Sequence, residues 1–194
     1  MVGGCRYWLE SFGARSKRVI TIREATIEDL QTLRDIGIKT YKEHFSDIWT
    51  AAGIQNFLSE DFSACELQKS LGSPTHHCWL IALDEEGQVV GFSKVNWSKP
   101  IPMSDQIGAE LQKIYFLKSQ AGKGYGKQLL QFILESAQDR NEGFIWLDVL
   151  KTNSNAQRFY ESFGFGALGE IPFSTDMAEI GMIVMCRDLP GRRD

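Results

Sequence analysis

Ala121-Gly122-Lys123-Gly124-Tyr125-Gly126-Lys127 lies between two patterned stretches. Before it, Ile114-Tyr115-Phe116-Leu117 reads as a strand. After it, Gln128-Leu129-Leu130-Gln131-Phe132-Ile133-Leu134 reads as an amphipathic helix. Strand, glycine turn and helix together make a physical recipe for holding a phosphate. Glycines let the backbone approach closely at positive φ, and the free N–H groups at the positive end of the helix face the anion. Two familiar phosphate loops do not fit. Read back from Gly126-Lys127, a P-loop would begin at Ala121 and carry its magnesium-binding hydroxyl at Gln128. The dinucleotide fingerprint fails at its third glycine, which falls on Lys127 or Leu129 depending on the register. By itself the segment reads equally well as an anion cradle and as a turn with two solvated lysines.

A second stretch breaks the tie. Asn153-Ser154-Asn155-Ala156-Gln157-Arg158-Phe159-Tyr160-Glu161-Ser162-Phe163-Gly164-Phe165 follows the loop after one more apolar run. With Gly124 and Gly126 as a glycine pair, the two stretches resemble the two signatures of the GNAT superfamily of N-acetyltransferases, in their order and at their separation. Those signatures are Gln/Arg-x-x-Gly-x-Gly/Ala and Asn-x-x-Ala…Phe-Tyr…Gly-Phe. One departure stands out: the Gln/Arg slot is Ala121, with Gln120 one residue early. The backbone cradle survives this change, but that side chain is lost. The resemblance runs from Ile20 onward and is nearest to the Pai-type polyamine acetyltransferases. Its texture includes Thr40-Tyr41-Lys42-Glu43-His44-Phe45, Gly91-Phe92-Ser93-Lys94-Val95-Asn96, Glu110-Leu111-Gln112-Lys113-Ile114-Tyr115 and Ile145-Trp146-Leu147-Asp148-Val149.

The resemblance implies an α+β GNAT fold, a mixed central β-sheet with a splayed strand pair flanked by helices. It implies acetyl-CoA as co-substrate and a primary amine as acceptor, such as spermidine or spermine, attacking the thioester directly. Backbone N–H groups of Gly122, Lys123, Gly124, Tyr125 and Gly126, next to Ala121, would hold the pyrophosphate, with charge from Lys123 or Lys127. Phe116, Leu117 and Lys118 would align the pantetheine arm through main-chain hydrogen bonds, the arm lying like an extra strand between two diverging strands. Asn153 and Ala156 complete the cofactor set, and Asn153 or Asn155 equally suits a helix N-cap. Tyr160 matches the family tyrosine and is the expected general acid, since a phenol of pKa about 10 is protonated at neutral pH. Glu110, at the position of the basic glutamate in histone-type members, is the expected base. The bland alternatives are a core tyrosine and a salt-bridging glutamate. Tyr115 belongs to the same candidate cleft. Glu43, Asp47, Glu60, Asp61 and Glu66 crowd the helical region that borders the acceptor cleft in this fold, where they would suit a polycation or simply form a solvated face. Trp49, Trp97 and Phe173 are candidates to flank an alkylamine chain.

Composition sets outer bounds. The chain has 194 residues and a net charge of −4, which suits one globular domain and argues against a general nucleic-acid binder. No apolar run approaches a membrane span. The four cysteines, Cys5, Cys65, Cys78 and Cys186, form no Cys-x-x-Cys pair. Cys78 beside His76 and His77 lacks paired-ligand spacing, so it reads as a core residue and no metal site is expected. Reduced thiols in the cytoplasm are the simplest account. Residues 1–18 have no apolar region of signal-peptide length and read as a flexible extension, or as the product of an upstream start codon. Residues 19–190 read as a single N-acetyltransferase domain.

Along the chain, Ile20–Arg23 alternates as a strand, and Thr26 with Asp29 signals a helix start. One or two helices follow over 48–71. Cys78–Leu83 and Gln88–Trp97 read as a hairpin closed by Asp84-Glu85-Glu86-Gly87, with Pro100 and Pro102 breaking its second strand. Ala109–Leu117 feeds the glycine loop. Phe144–Leu150 is almost continuously apolar and so reads as buried on both faces. Two strands close the chain. Rival functions keep the cofactor and change the acceptor to a protein N-terminus, a lysine or another small amine, or drop catalysis for an acyl-CoA-sensing regulator. Dimers are common in the superfamily, so a homodimer is compatible with the resemblance.

Overall fold

The computed structural model describes residues 19–190, so the expected extension over 1–18 lies outside the described residues. Strand β1 (Thr21–Glu24) leads through a short 3-10 turn into α1 (Leu30–Phe45). The start signal is realised: Asp29 accepts from the Thr26 N–H at 2.9 Å and pairs with Arg23 at 2.7 Å. This partnership with Arg23 holds the Asp29 carboxyl down at about 2. Helices α2 (Ala51–Asp61) and α3 (Ala64–Leu71) follow, each with a hydroxyl N-cap: Thr50 accepts from Gly53 N–H and Ser63 from Glu66 N–H.

Strands β2 (His77–Leu83), β3 (Val89–Pro100) and β4 (Ile107–Phe116) form an antiparallel meander. Gly87 supplies the left-handed residue of the first turn at φ 76°. Pro100 does not break β3 short. It is the last paired residue of that strand, opposite Ile107, where a missing N–H is tolerated. After β4 come α4 (Tyr125–Asp139), β5 (Phe144–Leu150), α5 (Ser154–Glu161), β6 (Gly166–Ile171) and β7 (Met182–Asp188). The seven strands lie in the order β1-β2-β3-β4-β5-β7-β6, with β4 and β5 parallel and the other neighbours antiparallel. The expected α+β fold with a mixed sheet is therefore present.

The β4–β5 contact is the feature that creates a site. The two strands pair only at Ala109↔Ile145 and Glu110↔Trp146. Gly108 pins this end, because a Cβ there would stand 2.6 Å from the Phe144 carbonyl oxygen. Just beyond, the β3–β4 register slips between Lys94↔Lys113 and Val95↔Leu111, leaving Gln112 as the extra residue of a bulge. A bulge bends its strand and increases the local twist. From there β4 and β5 diverge, giving the splayed pair. Two cores clamp the sheet. On one face Leu129, Leu130, Ile133 and Leu134 of α4 pack on Ala109, Leu111, Ile145 and Leu147. On the other, Leu33, Ile54, Leu58 and Leu67 of α1–α3 pack on Ile81 and Phe92. Cys78 packs half-buried against the first core, where burial pushes its thiol up to about 12. Among the described residues no helix is long and apolar enough to cross a membrane.

Candidate active site

The divergence of β4 and β5 opens a cleft of about 460 Å³ that reaches both faces of the sheet. Its walls include Ile114 to Lys118 from the end of β4, Asp148 to Leu150 from β5, and Ala121, Asn153, Ala156 and Tyr160. Of the sequence-derived cofactor set, Phe116, Leu117, Lys118, Ala121, Asn153 and Ala156 line this cleft. Gly122, Lys123, Gly124, Tyr125, Gly126 and Lys127 stand just outside it, in the turn and first helical turn.

That turn has the geometry of an anion cradle. Gly122 and Gly124 are left-handed, at φ 76° and 80°, and a Cβ on either would meet nothing within 4 Å. The glycines therefore serve the backbone conformation and leave room for a ligand. Gly124 is the N-cap of α4 and no side chain caps that helix, so its first N–H groups are left without intrahelical partners. The Tyr125 ring is buried near Phe116, which leaves only its main chain for a ligand. Lys123 Nζ bonds Gln120 Oε1 at 2.5 Å and lies over the Tyr125 ring. Gln120, one residue ahead of the family slot, is thus tied to the loop's own lysine.

The end of β4 is already engaged. His44 must donate its Nε2–H to the Phe116 carbonyl, which can only accept (2.8 Å). The Glu43 carboxylate accepts from Lys118 N–H at 2.7 Å, and Leu117 N–H donates to Val90 C=O at 3.0 Å. An incoming arm must displace the two α1 side chains or use the remaining main-chain groups of the strand.

Tyr160 projects from α5 into the cleft and is 9% exposed. Burial first, then the Asp148 carboxylate, pushes its phenol above the ordinary value, so it stays a proton donor through neutral pH. Asn153 caps α5, its Oδ1 accepting from Ala156 N–H at 3.1 Å, while Asn155 accepts from Arg158 instead. Glu110 sits on β4 at the last paired position. It accepts from Asn96 Nδ2 at 2.6 Å, and Asn96 Oδ1 lies 2.6 Å from His77 Nδ1. Glu110 is not among the residues lining the cleft.

The carboxylate that does line it is Asp148, which sequence reasoning passed over as part of an apolar strand. Solvent reaches Asp148 through the cleft, whose walls strip much of its hydration. That desolvation, then the charge of Glu110, raises its pKa, and Lys113 partly opposes them. The available signal was a lone charge in Phe-Ile-Trp-Leu-Asp-Val-Leu. Phe144–Leu150 is therefore not buried on both faces throughout, since Asp148 opens into the gap left by β4.

The acidic cluster lies elsewhere. Asp61 pairs with Lys113 at 2.9 Å, Glu43 is committed to Lys118, and Asp47, Glu60 and Glu66 are exposed. None of the five lines the cleft. Instead its α1–α2 side carries Tyr41, Phe45, Ile48 and Phe57, joined by Tyr115 and Phe173. Burial lifts Tyr41 to about 12 and also raises Tyr115. Trp49 backs Phe57 and Phe173 at 5.4 and 6.4 Å, whereas Trp97, on β3, is buried in the core that α4 covers, away from the cleft.

Comparison with known proteins gives a consistent family. The model of the acetyltransferase (GNAT) family matches residues 38–165. An uncharacterized N-acetyltransferase of Lactobacillus delbrueckii subsp. lactis is 26% identical over 155 residues, covering 79% of this chain and 88% of the relative. A protein named "Probable spermine N(1)-acetyltransferase" from Bacillus subtilis subsp. natto is 28% identical over 101 residues, or 51% of this chain and 66% of the relative. Among solved structures, the PaiA N-acetyltransferase of Thermoplasma acidophilum in complex with coenzyme A superposes with a TM-score of 0.67 at 22% identity, covering 88% of this chain and 99% of that one.

Proposed function

The chain belongs to the acetyltransferase (GNAT) family and is an acetyl-CoA-dependent N-acetyltransferase, and we propose that it acetylates a primary amine by direct attack in the β4–β5 cleft. The observation that carries this reading is the two-pair β4–β5 ladder, which opens a cleft beside an uncapped glycine turn. Bound acetyl-CoA supplies an activated thioester, whose C–S bond breaks as the C–N bond forms. The backbone of Gly122 to Gly126 holds the pyrophosphate, helped by Lys123 or Lys127, and Asn153 and Ala156 border the arm beside Phe116, Leu117, Lys118 and Ala121.

Tyr160 donates its phenolic proton to the leaving sulfur and recovers one from the newly acylated nitrogen, which sheds its second proton as the amide forms. The raised pKa of Tyr160 keeps the phenolic proton in place until negative charge develops beside it. The acceptor amine is an ammonium in neutral water and must lose a proton before it attacks. Asp148 takes that proton: it opens into the same cleft, and a carboxyl raised above its ordinary value is a better base. Glu110 acts on Asp148 through charge. Glu110 as the direct acceptor is the alternative, and pH profiles separate the two.

Polyamines remain a candidate acceptor class. They rest on the Pai-type texture and on the name of the Bacillus subtilis subsp. natto relative. The acidic cluster lends no support, because its members do not line the cleft. The test is a panel of amines with acetyl-CoA, reading thiol release and product mass together. Acetylated amine in step with free thiol is expected. Thiol release without any acetylated amine, or tight cofactor binding with no turnover, would replace the transferase with a hydrolase or a sensor.

A further inference from the structure

We propose that the acceptor is a primary amine carried on a short aromatic or bulky apolar body, with Tyr41, Phe45, Phe57, Tyr115 and Phe173 as the wall that selects it. This rests on the acetyltransferase reading above and names the substrate class of that site.

The wall is continuous. Tyr41 stacks on Phe57 at 4.7 Å with 24° between planes, and contacts Phe45 at 4.5 Å. Phe45 meets Tyr115 edge-on at 5.6 Å and 86°. Phe173 closes the far side, held edge-on by Trp49. Rings so arranged offer both faces and edges to a further ring, the two geometries that aromatic pairs prefer.

Charge points the same way. Among the described residues the one carboxylate lining the cleft is Asp148, while Lys113, Lys118 and His44 line it as well. Asp148 faces one ammonium. The second and third nitrogens of a polyamine would have to shed water among rings and lysines, with no further carboxylate in the lining to receive them. Ring faces do attract cations, but that attraction falls short of the hydration a buried ammonium gives up. A single amine on an apolar body meets no such cost.

The experiment compares 2-phenylethylamine, ethylamine and spermidine as acceptors at saturating acetyl-CoA. In parallel, it reads the thermal shift each amine causes with coenzyme A present. The expected result is a kcat/KM for 2-phenylethylamine at least about tenfold above both others, since a single methylene in an apolar pocket already carries about that factor. It should also give the largest thermal shift of the three. Phe173→Ala should cut the advantage of 2-phenylethylamine over ethylamine at least fivefold, mostly through KM, with the KM for acetyl-CoA unchanged. Phe173→Leu, which keeps the apolar bulk, should fall between. Spermidine equal to or better than 2-phenylethylamine, or an advantage untouched in both variants, overturns the inference and leaves the acetyltransferase standing. Turnover of none of the three amines leaves amine transfer to be decided by the wider panel above. The thermal shifts then decide the aromatic wall separately, and equal shifts overturn it.

Discussion

Tyr160 and Asp148 carry the chemistry in this account, and their surroundings push both pKa values upward for related reasons. Burial lifts Tyr160, and the nearby Asp148 adds to the lift. Tyr160→Phe preserves the ring packing against Phe159 and Phe165 and removes only the donor. Steady-state kinetics should show kcat lower by about 10²–10⁴-fold, the usual yield of a general acid or base, with acetyl-CoA affinity unchanged. A fully active variant would make Tyr160 a packing residue. For Asp148 the active form is the carboxylate, so activity is lost as pH falls through its pKa. Because that pKa is raised, the acid limb of kcat/KM should lie above the ordinary carboxylate range, and Asp148→Asn should abolish it along with most of the rate. Glu110→Gln removes one of the groups that raises Asp148, so the limb should move to lower pH with much of the rate kept. If Glu110→Gln erases the limb instead, Glu110 is the base.

The same shift bears on stability. A carboxyl whose folded pKa is raised holds its proton more tightly folded than unfolded, so its contribution is most favourable in acid and is lost as pH rises through the folded value. Asp148→Asn should therefore melt higher than the parent at neutral pH. The difference should vanish below the pKa of the unfolded chain. Loss of activity together with a gain in stability would mark Asp148 as a residue kept for function.

At the scale of elements, the link between β6 and β7 is fastened to the start of α2. The Asp176 carboxylate accepts from Thr50 N–H at 3.0 Å and from the Thr50 hydroxyl. These bonds lower its pKa, so the fastening is present at neutral pH and is lost in acid. The approach depends on Gly53, since a Cβ there would lie 2.1 Å from Asp176 Oδ2. This latch sets Phe173 against Trp49. Asp176→Ala and Gly53→Ala should each raise KM for the amine severalfold and leave KM for acetyl-CoA in place. Gly53→Ala should do so without loss of fold, because alanine favours a helix by about 1 kcal/mol over glycine. Equal effects on both substrates would mean that the link does not border the acceptor end. This latch was illegible in the sequence, because it joins residues 126 positions apart. Element identities, by contrast, were legible wherever the pattern was local. The Thr26–Asp29 start, the Gly87 turn and the apolar face of α4 are all determined by near neighbours.

For the whole molecule, the division between legible and hidden follows the same line. The glycine turn and the Asn153–Phe165 stretch pointed to the fold through their resemblance to the family's two signatures, which are short and lie in a fixed order. What the sequence could not give is which way side chains point once the sheet closes. Carboxylates between Glu43 and Glu66 read as an acceptor site or a solvated face because they are close in sequence, yet Asp61 turns to Lys113 and Glu43 to Lys118. Asp148 looked like a blemish in a buried strand because the gap beside it arises from a bulge at Gln112 on another strand. If the glycine turn at the head of this gap holds acetyl-CoA, the melting temperature with and without acetyl-CoA, in the parent and in Gly124→Glu, will show it. At about a hundredfold excess over Kd the parent should gain roughly 2.7 kcal/mol. The variant places a carboxylate and a left-handed side chain at the cap of α4, so it should gain nothing; its own melting without ligand should drop modestly, because φ 80° strains any L side chain even though a Cβ there meets no neighbour. An equal gain in both proteins would contradict the account and put the cofactor elsewhere.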